Sequence, residues 1–182
     1  MRVVSLLPSA TEMLFALGIE PVGVSHECDH PPAVSELPEL TRPRIDPAAS
    51  SADIDQQVQD ARETGGVYAI DRERLAALDP DFIVSQGHCE VCAVDDTALR
   101  RVVDDLHLDA EIVTSDPHGL ADVFADIERL GRILGRSDRA REVRSDLESR
   151  VEAVVQATTG NIAESDRTRP RVAVLDWLDP VM

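Results

Sequence analysis

The chain has 182 residues, 43% of them hydrophobic, enough to bury a core as one domain or one and a fraction. Its 35 acidic residues face 18 basic ones, all of them arginine, for a net charge of -17, which argues against nucleic acid as a partner because phosphates would be repelled. No apolar stretch approaches the roughly 20 residues that a bilayer-spanning helix needs. Met1 runs almost directly into Val3-Val4-Ser5-Leu6-Leu7, without the basic region, apolar core or cleavage site of a secretory signal. The expectation is a cytoplasmic protein, or one whose export segment has been removed. The acidity itself reads as a solvated surface suited to high salt, where screening relieves self-repulsion, with attraction of cationic partners as the alternative.

Strand and helix signals then alternate. Val3 to Leu7 predicts a strand, followed by Pro8 and a helix from Ser9 to Leu17 that stops at Gly18. Ser9-Ala10-Thr11-Glu12 has capping-box spacing, and free amides at the same helix start are the functional alternative, as holders of a polar ligand group. Pro21 to Ser25 predicts the second strand, which delivers Ser25-His26-Glu27-Cys28-Asp29-His30-Pro31-Pro32; the proline- and serine-rich stretch from Pro31 to about Ser51 is expected to be loop. A short helix is expected from Ser51 to about Glu63, a brief strand from Val67 to Ile70, and a helix capped by Asp71 that runs through Leu78 and ends at Asp79-Pro80.

Phe82 to Ser85 predicts a buried strand carrying a second cluster, Gln86-Gly87-His88-Cys89-Glu90-Val91-Cys92. A helix from Asp95 or Asp96 to about His107 and a strand from Glu111 to Thr114 follow. Strands separated by helices of this length indicate a parallel sheet with helices on its faces. In such sheets ligands sit outside the carboxyl ends of the strands, so two Cys/His clusters there mark a binding edge.

Beyond Asp116-Pro117 the pattern turns helical. Leu120, Val123, Ile127, Leu130 and Leu134 share one face; after Gly135, Ser137 starts a second segment with Ala140, Val143, Leu147, Val151 and Val154 on one face, long enough to reach about 30 Å. Thr158 to Pro170 reads as a polar linker, and Arg171 to Trp177 as a new strand without a sequential partner. An exposed apolar strand invites pairing, so self-association through 172–177 is expected. The expected organisation is an α/β lobe over 1–118, a backbone helix over 119–159, and a linker with the first strand of a further lobe over 160–182. No internal repeat, low-complexity tract or coiled-coil heptad is present.

The cysteines admit several readings. Cys89 and Cys92 form a C-x-x-C pair, and Cys28 with His26 follows a neighbouring strand. Thiolate and imidazole suit zinc, so Cys28, Cys89 and Cys92 with one histidine, His26, form a candidate metal set of the usual four ligands. The same residues also fit a redox pair, a disulfide or buried thiols. Enzyme signatures are missing: the chain has no Gly-rich phosphate loop, no G-x-S-x-G elbow and no H-E-x-x-H. Cys28 beside His26 and His30 is not a dyad, because adjacent residues of an extended segment point to opposite faces. A binding protein rather than an enzyme is expected, with thiol-disulfide exchange at Cys89 and Cys92 as the most plausible catalytic form.

Val3-Val4-Ser5-Leu6-Leu7-Pro8-Ser9-Ala10-Thr11-Glu12, Leu17-Gly18, Val22-Gly23-Val24-Ser25 with Asp29-His30-Pro31-Pro32, and Arg74-Leu75-Ala76-Ala77-Leu78-Asp79-Pro80-Asp81-Phe82-Ile83-Val84 together resemble the cobalamin/iron-siderophore class of ABC-transporter substrate-binding proteins. The likeness runs in register through the long helix and the strand at Arg171. Ser25-His26-Glu27-Cys28-Asp29 and Cys89-Glu90-Val91-Cys92 resemble the cobalamin-binding branch. The resemblance implies two Rossmann-like α/β lobes joined by a helical backbone, of which this chain holds the first lobe, the backbone helix and one strand of the second. It further implies ligand contacts at Pro8, Ser9, Asp29, His30, Gln86, Gly87 and His88, with a corrinoid or related metal chelate as cargo and no required cofactor. A carboxylate for docking on an ABC permease would fall on Glu73, whose plainer role is a helix-start glutamate that complements the helix dipole. The other reading is a cytoplasmic metal- or redox-responsive α/β protein built on Cys28, Cys89 and Cys92.

Overall fold

The computed structural model describes residues 1–63, 66–87, 94, 96–163 and 172–173. Its elements in chain order are β1 (Val3–Ser5), α1 (Pro8–Ala16), β2 (Gly23–Val24), a 3-10 turn (Pro32–Glu36), β3 (Thr41–Pro43), α2 (Ser51–Glu63), β4 (Tyr68–Ile70), α3 (Arg72–Leu78), β5 (Phe82–Gln86), α4 (Asp96–Asp105), β6 (Glu111–Ser115), α5 (Leu120–Ile133) and α6 (Ser137–Ala163). The chain divides into two units, Met1–Asp126 and Ile127–Met182.

In the first unit, four strands form a parallel sheet in the order β2-β1-β5-β6. Register places Val4 beside Ile83 and Ile83 beside Ile112, on one face, and Ser5 beside Val84 and Gln86 beside Ser115, on the other. The first face builds the apolar core, where Val4, Leu6 and Ile83 pack with Leu75 of α3 and Leu99 and Val103 of α4. The second face carries α1, whose Thr11 hydroxyl reaches Ser5, and the start of α5, whose Asp126 accepts from Ser115. Helices therefore cover both faces, as a buried parallel sheet requires.

Several local expectations are corrected. The capping box at Ser9 does not form: α1 begins at Pro8, and its N-cap is Leu7 with no side-chain cap. Proline suits the first helical position because its missing N–H would be orphaned there, so the start shifts one residue ahead of Ser9. The helix ends as expected at Gly18, whose φ of 73° lets its N–H bond Phe15 O while Ile19 N–H bonds Leu14 O, a Schellman closure. The stretch from Pro31 to Ser51 is not all loop, since Thr41–Pro43 pairs antiparallel with Tyr68–Ile70. Its partner is distant in sequence, and a proline is tolerated in a two-stranded ribbon because one of its edges is free.

α3 was expected to be capped by Asp71, and it is: Arg74 N–H donates to Asp71 Oδ1 at 3.0 Å. Asp71→Ala is expected to cost about 1 kcal/mol, seen as a lower urea midpoint at unchanged slope, with Asp71→Asn retaining most of it. An unchanged midpoint in the alanine variant would show that the cap contributes nothing.

The second unit holds the second half of α5 and the 27-residue α6. Ile127, Leu130, Leu134, Ala140 and Val143 are buried as the helical spacing predicted. Leu120, at the start of α5, is 59% exposed and does not share that face's burial, and Val151 and Val154 are exposed as well. The polar stretch from Thr158 continues α6 to Ala163 rather than opening a linker, because Ala, Thr and Gln residues at this point carry no helix breaker before Gly160. The strand expected at 171–177 lies outside the described residues apart from 172 and 173.

Candidate functional site

All four sheet strands run the same way, so their carboxyl ends open on one edge. After β1 the chain turns into α1, leaving Pro8 half-buried and Ser9 exposed. After β2 comes the segment from Ser25 to His30, in which Ser25 is buried, His26 and Cys28 are half-buried, and Glu27, Asp29 and His30 are exposed. The His30–Pro31 peptide bond is cis. After β5, Gln86 is only 5% exposed and Gly87 is exposed. His88, Cys89 and Cys92 lie outside the described residues.

Six of the expected ligand residues thus come to one edge, but they differ in reach. Ser9, Asp29, His30 and Gly87 face outward, whereas Gln86 is turned into the layer beside Ser115. Gly87 is pinned by its N–H to Ser115 O at 3.0 Å, and a Cβ there would meet Thr114 Cγ2 at 3.0 Å. Its backbone is therefore available to a ligand in a way that a larger residue's would not be.

Sequence reasoning missed the end of β6. Asp116 and His118 are exposed on the same edge, with His118 Nε2 3.7 Å from Asp116 Oδ1. The signal was present as a strand followed by Ser115-Asp116-Pro117-His118, the same polar ending that marked the other two strands.

Also missed were the residues beneath the Ser25–His30 segment. Backbone bonds from Val24 N–H to Pro38 O and from Leu40 N–H to Val24 O lay the chain before β3 along β2, which puts Thr41 beside Ser25. Thr41 Oγ1 lies 2.9 Å from Ser25 Oγ and 2.7 Å from His26 Nδ1, and accepts from His26 N–H at 3.1 Å. His26 Nε2 lies 3.1 Å from Glu27 Oε1 without the alignment of a hydrogen bond. The His26 ring meets Tyr68 edge to face at 5.1 Å, and Tyr68 OH approaches Glu27 Oε1 at 3.5 Å. On the other side of the segment, Cys28 Sγ lies 3.1 Å from Thr11 Oγ1, which donates to Ser5 Oγ at 2.8 Å.

Burial pushes the Cys28 thiol up, against a smaller opposing effect of its Thr11 hydrogen bond, and the nearby Asp29 and Glu27 charges add to the rise. Cys28 is thus a neutral thiol near pH 7, the weakly nucleophilic form. Burial, with Glu27 beside it, likewise raises Tyr68. Among the described residues no three His, Cys, Asp or Glu side chains are grouped to hold a metal ion.

Glu73 is exposed on the first turn of α3. Arg2 Nε donates to Leu78 O at the far end of that helix, beside the amino ends of β1 and β5. Glu73 therefore sits on the side of the sheet's carboxyl edge. Beside it a groove of about 480 Å³ is lined by Thr41, Arg42, Ile70 and Arg72 among others.

Comparison with known proteins agrees with this architecture. An ABC transporter substrate-binding protein from Listeria monocytogenes EGD-e gives a TM-score of 0.57 at 20% identity, over 91% of this chain and 50% of its own. The periplasmic heme-binding protein BhuT, in complex with two hemes, gives 0.61 at 23% identity, over 96% and 55%. The siderophore-binding protein FhuD from Vibrio cholerae, with Fe3+-Desferal bound, gives 0.53 at 18% identity, over 86% and 52%. These likenesses are of fold, and the chain spans about half the length of the solved chains it matches. The periplasmic binding protein family matches residues 3–175, the sheet and both long helices included, and the chain belongs to that family.

Proposed function

We propose that the chain is a ligand-binding lobe, with its helical spine, of the substrate-binding component of an ABC uptake system, and that its cargo is a corrinoid or a related metal chelate. The observation that carries this reading is the gathering of Pro8, Ser9, Asp29, His30 and Gly87 at one carboxyl edge of a parallel sheet. A planar macrocycle would lie against that edge through apolar contact and a few hydrogen bonds, which requires no catalytic group. The heme carried by BhuT and the ferric chelate carried by FhuD support a bulky metal complex as the class of cargo. Within the class, the Ser25–Asp29 segment favours a corrinoid, by its resemblance to the cobalamin-binding branch. The exposed Glu73 supports docking on a permease by pairing with its arginines, since an accessible carboxylate on the carboxyl-edge side would be presented together with the cargo.

The test is calorimetric titration of cyanocobalamin, cobinamide, haemin and ferric desferrioxamine into the chain. Binding of a corrinoid is expected in preference to the other two. Asp29→Ala and His30→Ala are each expected to weaken it about tenfold, the loss of roughly 1.4 kcal/mol of contact. Preference for haemin or the ferric chelate would overturn the corrinoid assignment, and no binding of any probe would overturn the transport reading.

A further inference from the structure

We propose that Thr11 and Thr41 are positioning residues that clamp the Ser25–His30 segment from both sides and so fix Asp29 and His30 at the binding edge, an inference that rests on the ligand-binding reading of that edge. Both threonines are buried, 0% and 5% exposed. Thr41 stands on β3 and Thr11 on α1, elements from opposite sides of β2 in sequence. Between them they hold the two ends of the turn: Thr41 meets Ser25 and His26, and Thr11 meets Cys28, the residue before Asp29.

The stoichiometry of the clamp is complete. A hydroxyl offers one donor and two acceptor lone pairs, and Thr41 Oγ1 has three partners: Ser25 Oγ, His26 N–H and His26 Nδ1. One assignment satisfies all of them. Glu27 N–H donates to Ser25 Oγ, Ser25 to Thr41, and Thr41 to an unprotonated Nδ1, so the His26 proton sits on Nε2 toward the Glu27 carboxylate. At the other end Cys28 Sγ lies 3.1 Å from Thr11 Oγ1, where either atom can donate, and Thr11 also bonds Ser5. The turn's internal bond, Cys28 N–H to Ser25 O at 3.0 Å, joins the two clamped ends. Valine has nearly the shape of threonine and supplies none of these bonds, whereas serine supplies them all.

The readout is alkylation of Cys28 by iodoacetamide, followed by mass spectrometry. Cleavage at Arg44 and Arg74 separates the Cys28 peptide from the one holding Cys89 and Cys92. Two effects of Thr11→Val have opposite signs, which makes the experiment decisive. If the segment stays in place, losing the Thr11 hydrogen bond raises the thiol further and slows alkylation. If the clamp is what holds the segment, release exposes the thiol and alkylation accelerates. We expect acceleration of about threefold to tenfold for Thr11→Val and Thr41→Val, the population change that losing one or two hydrogen bonds produces, with Thr11→Ser and Thr41→Ser near the parent rate. Cyanocobalamin affinity should fall with the valines and recover with the serines, while the thermal midpoints of the serine variants stay at the parent value. Should Thr41→Val not yield folded protein, Thr41→Ala and Thr11→Val report in its place.

Unchanged or slower alkylation in the valine variants would overturn the clamp whatever the affinity results. Faster alkylation with full cyanocobalamin affinity would also overturn it, as the segment would then not need to be held for binding. Faster alkylation in the valine variants of a parent that binds no probe leaves the clamp standing as a fact of the fold and counts only against the transport reading.

Discussion

Gly131→Ala is expected to destabilise the Ile127–Met182 unit by about 1–3 kcal/mol, although alanine is intrinsically the better helix former by up to about 1 kcal/mol. Gly131 lies on α5 against Ala140 of α6. A Cβ placed there would overlap the Cβ of Ala140, with Arg136 O only 3.2 Å away. Neither neighbour is the tip of a flexible side chain, so the helices themselves must separate. Ala140 is 1% exposed, and Leu130 on α5 and Leu134 just past its end are 0% and 3% exposed, so separation would open buried apolar surface to water. The double variant Gly131→Ala/Ala140→Gly removes the overlap from the other side and is expected to regain most of the loss, apart from the cost of the new helical glycine. Urea unfolding of the four proteins completes the cycle. Equal stability of Gly131→Ala and the parent would mean that this crossing is loose and that the buried seam does not depend on it.

What the sequence revealed and what it concealed divide along one physical line. Elements whose signals are local were legible: the apolar runs of β1 and β5, the stop at Gly18, the cap at Asp71, and the bounds of α2. The likeness to a substrate-binding family was legible too, because it is a pattern of such local signals in a fixed order. Concealed were features made by a partner far along the chain. β3 exists because Tyr68–Ile70 lies against it, and nothing within Thr41-Arg42-Pro43 announces a strand. Thr11 looked like the interior of a capping box, and only the packing of α1 on the sheet turns its hydroxyl to Ser5 and Cys28. Gln86 looked like a ligand contact, yet its place on the face shared with Ser115 buries it. The placing of these residues at the carboxyl edge of the sheet was therefore readable from sequence, but the scaffold that sets that edge was not.

Ile83→Ala is expected to cost about 2–5 kcal/mol and Ile83→Val about 0.5–1.5 kcal/mol. Against the 5–15 kcal/mol typical of a domain, the first is a large fraction of what holds the lobe together. Ile83 sits on the central strand, flanked by Val4 and Ile112, fully buried with Leu75, Leu99 and Val103 beneath it. Truncation leaves a cavity within this packed layer, which neighbours can fill only by shifting helices α3 and α4. The proposed binding edge lies at the strand ends, and Ile83 faces the other way from Val84 and Gln86. Ile83→Ala should accordingly lower the thermal midpoint steeply while leaving ligand affinity near the parent value at temperatures where the lobe is folded, the reverse of the pattern expected for Asp29→Ala. Chemical unfolding and titration on the same samples check both halves. If alanine cost no more than valine, the layer between the sheet and α3 and α4 would be able to collapse around the lost atoms. If affinity fell in step with stability, the core face and the binding edge would be one cooperative element, and the sheet would transmit to its carboxyl ends a strain that the register of β1, β5 and β6 otherwise confines.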